Sequence, residues 1–145
     1  MAHPLWTIFC AKALTDSENH NVSLLDVIED VVVAVPEGSS AENMVVPISA
    51  ILLTNWRRSD AQTPERFMAR VSFVAPPGQA AEGPVIEVDL SNHLRLRMSV
   101  KIGALTIWGE GTHRFRIERQ DPETQAWSVA AELPLEVHIG VEQQQ

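Results

Sequence analysis

The chain has 145 residues, of which 45% are hydrophobic and 21% charged, with a single cysteine and a formal net charge of −8. That is one domain with enough apolar residues to bury a core, and it excludes a disordered chain, a collagen-like chain and a disulfide scaffold. Tight nucleic-acid binding rests on neutralising phosphates, so a globally acidic chain makes nucleic acid an unexpected partner.

Strand signals dominate from the start. Leu5 to Leu14 reads as a first strand, closed by the polar cluster Thr15 to Asn21. Val22 to Val35 is strongly apolar, but Asp26, Glu29 and Asp30 interrupt its alternation, which predicts a bulge or a switch between two short strands. Pro36-Glu37-Gly38 stops it. Val45 to Trp56 is the next strand, with Pro47 near its start, and Arg57 to Pro64 is a polar loop. Arg66 to Val74 sets Phe67, Ala69, Val71 and Phe73 on one face and Arg66, Met68, Arg70 and Ser72 on the other. Ala75-Pro76-Pro77-Gly78 is a turn, because proline fixes φ and glycine supplies a positive one.

Val85 to Leu90 and Leu94 to Leu105 read as a hairpin across Ser91-Asn92-His93. In the expected register Val88 faces Leu96 and Ile86 faces Met98, while Asp89 meets Arg95 and Glu87 meets Arg97 on the other side. Trp108 to Gly111 turns the chain into Thr112 to Gln120, where Phe115 and Ile117 alternate with Arg114 and Arg116. Asp121 to Thr124 leads into a last strand, Trp127 to Ile139, with a frayed tail expected over 140–145. No helical period, repeat or dividing linker interrupts this pattern. The reading is all-β: one domain over 1–145, an antiparallel two-sheet immunoglobulin-like sandwich of seven or eight strands, with a barrel as the alternative.

Four stretches together resemble a bacterial family of small β-sandwich proteins known only as a domain of unknown function. They are Phe9-Cys10-Ala11 with Asp16, Ser23 to Ile28 running to Pro36, Arg70-Val71 before Pro76 and Gly78, and Gly111 to Ile117. The resemblance implies a fold and carries over no catalytic residue.

The N-terminal Met1 to Trp6 lacks a basic region, and Lys12 breaks the apolar run that follows, so no signal peptide is expected. No stretch reaches the roughly 18 apolar residues of a membrane-spanning helix. With one cysteine, the expected setting is the reducing cytoplasm, with no membrane partner.

Chemistry is sparse. Cys10 lies in an apolar strand without a base beside it and reads as a buried thiol. His3, His20, His93, His113 and His138 show no metal-ligand spacing, so no metal or cofactor is expected. A loop-end enzyme or small-ligand site built on His20, His93 or His113 is the alternative. A subunit of a phage or other assembly is a third reading.

Charge is distributed unevenly. Residues 1–56 hold seven acids and one base, 57–119 seven acids and ten bases, and 120–145 five acids and no base. By alternation Arg66, Arg70, Arg95, Arg97, Lys101, Arg114 and Arg116 point outward, which predicts an arginine-rich outer face on one sheet. Trp56 and Trp108 stand at strand ends, Trp56 beside Arg57 and Arg58; an aromatic among arginines is a hot-spot composition. Trp6 and Trp127 are expected in the core. These positions make up a candidate surface for a protein partner or a second copy of the chain, and the function expected is a non-catalytic interaction module.

Overall fold

The computed structural model describes residues 1–38, 40 and 42–142. Among the described residues nine strands form: β1 His3–Thr15, β2 Val22–Val27, β3 Asp30–Pro36, β4 Met44–Arg57, β5 Glu65–Val74, β6 Ala80–Leu90, β7 Arg95–Ile107, β8 Gly111–Gln120 and β9 Trp127–Glu142. They make two sheets, one ordered β2-β1-β4-β7 and the other β3-β9-β8-β5-β6.

The apolar faces of the two sheets pack together. Phe9 from one sheet meets Phe115 from the other with ring centroids 4.7 Å apart, and Trp56 meets Phe67 edge-on at 4.9 Å. Leu52, Val88, Leu90, Ile107, Ile117 and Leu135 belong to the same buried core. The inward set expected for Arg66 to Val74 holds, with Phe67, Ala69, Val71 and Phe73 all in that core, although Ser72 on the other face is buried too.

Four expectations need correction. First, the strand number is nine rather than seven or eight: the run Val22 to Val35 switches between two short strands, as one of the two expectations had it, and these strands, β2 and β3, lie in different sheets. The interrupting acids mark the crossing: Asp26 sits at φ 55, and the Glu29 carbonyl accepts the Glu136 amide at 3.0 Å. Second, the sandwich is not wholly antiparallel, because β3 and β9 pair in parallel. Third, that pairing runs to Pro36 opposite Glu142, so 140–142 belong to a strand; 143–145 lie outside the described residues.

The fourth correction moves the most residues. β6 and β7 do not form a hairpin: β6 pairs with β5, β7 pairs with β4, and residues 91–94 carry the chain from one sheet to the other. Val88, Leu90, Met98 and Val100 are all buried, but they reach the core from opposite sheets rather than side by side. Alternation marks which face of a strand is inward and says nothing about its neighbour. Asp89 and Glu87 therefore pair with Arg66 of β5, at 2.8 and 3.1 Å, and leave Arg95 and Arg97 without them.

The β1–β2 hairpin also departs from a flat sheet. Arg97, on the opposite edge strand, donates to the His20 carbonyl at the hairpin tip at 2.7 Å. β1 rises from His3, opposite Arg57, to Cys10, opposite Ile51, so its tip reaches Arg97 only by doubling back over the outer face. Cys10 Sγ lies 3.6 Å from the Lys12 carbonyl. Cys10 and Leu53 are consequently buried although neither belongs to the main core.

Candidate functional site

On the outer face of the five-stranded sheet every outward arginine has a carboxylate. Arg66 is shared by Glu87 and Asp89, and Arg70 makes two bonds to Glu118, at 3.1 and 3.3 Å. Arg114 and Arg116 both reach Glu132, at 3.5 and 3.2 Å. At the far side His138 meets Asp30 at 3.1 Å. Ser91 and then Arg66 hold the Asp89 carboxyl well below the usual carboxylate range. Each pair joins residues opposite or diagonal on neighbouring strands, so alternation sets the face and the strand register assembles the lattice.

The outer face of the four-stranded sheet is built differently. There the register aligns His3, Arg57 and Arg95 in one row across β1, β4 and β7. Ile51 and Lys101 make another row, and Leu53 and Ser99 lie between. Arg57, Arg95 and Lys101 are exposed, and among the described residues no carboxylate lies within ion-pair distance of any of them. Arg57 stands directly opposite Arg95, a like-charge cross-strand pair that costs stability in the free protein.

The single arginine-rich face expected from the sequence is therefore two faces. Arg66, Arg70, Arg114 and Arg116 lie on the five-stranded sheet and Arg57, Arg95, Arg97 and Lys101 on the four-stranded one. All point outward, as alternation requires. Which sheet each belongs to depended on the misread connection between β6 and β7.

The tryptophans are redistributed as well. Trp56 is 0% exposed, because β4 turns Leu52, Thr54 and Trp56 toward the core, so it leaves the candidate surface. Trp108 follows Ile107 at the opposite end of β7 from Arg95, so it does not join the Arg57 cluster. Arg58 bonds the Ala61 carbonyl at 3.0 Å and staples its own loop. Trp127, expected in the core, is half-buried on the outer face, with the Arg70 guanidinium 4.2 Å from its ring centre. Trp6 pairs in register with Asn55 and Arg97 on the outward side, after a bulge between Pro4 and Trp6 reverses its side.

The histidines do not converge. His20 lies at the β1–β2 tip and His93 in the β6–β7 connection. His113 is fully buried, stacked on Phe73 at 5.3 Å, with Nε2 accepting the Trp108 amide at 3.2 Å and Nδ1 beside the Gly111 carbonyl. That arrangement is the neutral ring with its proton on Nδ1, and burial pushes its pKa down. Among the described residues no three His, Cys, Asp or Glu side chains gather to hold a metal ion. Burial likewise pushes the Cys10 thiol up, which disfavours the reactive thiolate.

One cation escaped the sequence reading. Arg119 points inward at 7% exposure, donates to the Ala2 carbonyl and lies 4.4 Å over the Phe67 ring. It continues the Phe115, Ile117 parity of β8, and that signal alone would have placed it inside.

Comparison of the chain with protein-family models, with curated proteins and with solved structures gives no match. No helix among the described residues is long and apolar enough to cross a membrane.

Proposed function

We propose that the chain is an immunoglobulin-like, non-catalytic interaction module, related to the bacterial family its motifs resemble, that binds a protein partner in the cytoplasm. The binding surface is the β4–β7 part of the four-stranded sheet. One observation carries this reading: Arg57, Arg95 and Lys101 stand exposed and uncompensated, while the arginines of the other face are satisfied internally. A surface that neutralises its own charges gains little from an acidic partner. A like-charge row gains both attraction and relief of its own repulsion. On a molecule of net charge −8 that row is a local basic patch, which orients an acidic surface toward it at close range.

Photo-crosslinking in cells tests the proposal. A benzophenone side chain installed in place of Lys101 is expected to trap a defined protein, and the same group in place of Arg116 is not. Equal trapping at both positions, or at neither, would overturn it. A crosslink joining only copies of the chain would redirect the reading to an assembly subunit.

A further inference from the structure

Resting on that reading, we infer that the partner binds as an added β-strand along the free edge of β7, through an extended segment acidic on one side and apolar on the other.

Of the four strands that end the two sheets among the described residues, β7 alone offers a long regular edge. β2 is six residues long and Asp26 within it adopts φ 55. β3 is seven residues long and ends in Pro36. β6 is broken where Gly83 and Pro84 stand against the single residue Val71 of β5. A Cβ at Gly83 would lie 2.7 Å from the Val71 carbonyl, so glycine is what allows this bulge to pack so closely. From Arg95 to Ile102, by contrast, β7 pairs with β4 residue for residue, with no proline, no bulge and no inward charge. Among the described residues no strand lies beside its second row of backbone donors and acceptors.

The side chains along this stretch alternate in a way that specifies the occupant. Outward are Arg95, Arg97, Ser99 and Lys101; inward are Leu96, Met98, Val100 and Ile102. Beneath the edge, between β7 and the β6 bulge, lies a groove of about 140 Å³. It opens onto Phe73, Val100, Ile102, Leu105 and Phe115, with Gly83 and Pro84 at its rim. A strand laid beside β7 would turn alternate side chains toward this groove and the remainder toward the basic row. Apolar residues suit the first set and aspartate or glutamate the second. A second copy adding through its own β7 would set bases against bases, which disfavours self-pairing at this edge.

The test uses the full chain and a synthetic ten-residue peptide alternating glutamate with valine or isoleucine. Binding is read by fluorescence anisotropy, and amide exchange of residues 95–102 by mass spectrometry. The peptide is expected to bind and to slow exchange along β7. N-methylation of every second peptide amide in the register that faces β7 is expected to abolish binding, and in the opposite register to leave it unchanged. Arg95→Glu combined with Lys101→Glu is expected to weaken binding about ten-fold or more.

Equal binding of a composition-matched scrambled peptide, indifference to both N-methylation registers, or equal displacement by a single-stranded oligonucleotide of the same charge would overturn strand addition. Those failures leave the crosslink at position 101 untouched. If that crosslink is present while the peptide behaves as a mere polyanion, the interaction module stands and only its strand-addition mode falls.

Discussion

The two sheets of this sandwich both carry arginines outward, yet they differ in what those arginines meet. On the five-stranded sheet, acids on β6, β8 and β9 stand opposite or diagonal to arginines on β5 and β8, and the face neutralises itself. On the four-stranded sheet the outward positions of β4 and β7 hold no acid, and Arg57 faces Arg95. The difference teaches that outward charge by itself is no sign of a binding surface. What distinguishes the two faces is whether the neighbouring strand supplies the opposite charge.

The contrast can be broken or sharpened by substitution. The largest effect is expected where both sheets share a support: Trp56→Ala removes a fully buried side chain that packs across the sheets on Phe67 and should cost about 3–5 kcal/mol in chemical denaturation. A loss well below that would place Trp56 outside the common core. Next comes His113, which is buried and neutral under the turn that joins the sheets. Its native pKa is depressed below its unfolded value near 6.5, so the unfolded chain binds the proton first. Stability should therefore fall as pH drops below about 6.5, until the native ring itself titrates. His113→Gln should remove that part of the slope while costing about 1–3 kcal/mol for the disturbed hydrogen bonds. An unchanged slope in melting temperature against pH would assign it to another group.

Smaller effects separate the faces directly. Glu132→Gln strips the shared partner from Arg114 and Arg116 and should destabilise by up to about 1 kcal/mol, less at high salt. Arg95→Glu on the other face should act in the opposite direction. It replaces a like-charge neighbour of Arg57 with an attractive one and should stabilise the free protein by a few tenths of a kcal/mol, roughly the scale of a cross-strand pair. Destabilisation by both changes, measured under the same conditions, would erase the distinction between the faces.

Much of the fold was legible in the sequence. The inward set of β5 and the outward direction of Arg66, Arg70, Arg95, Arg97, Lys101, Arg114 and Arg116 follow from a period of two, which is a local property of extended backbone. The break in Val22 to Val35 was visible because three acids cannot be buried in line. The β6–β7 connection was misread because Asp89, Glu87, Arg95 and Arg97 satisfy the pattern of a hairpin equally well. The strands they actually meet put Arg66 beside the two acids and Arg57 opposite Arg95, and both lie far off in the chain. A four-residue link that changes sheets leaves no mark in composition. Trp127 was misplaced for a related reason: its apolar ring suits the core, and only the Arg70 stack accounts for it on the surface.

The sequence by itself determined that this chain is all-β, which residues turn inward, and that its bases gather in the middle strands, because alternation and turn chemistry act over a few residues. Only the tertiary structure decided which strands are neighbours. Neighbours decide whether an arginine is neutralised, whether Leu53 is covered, and which edge is left open. Those properties depend on contacts between residues distant in the chain, which no local pattern records.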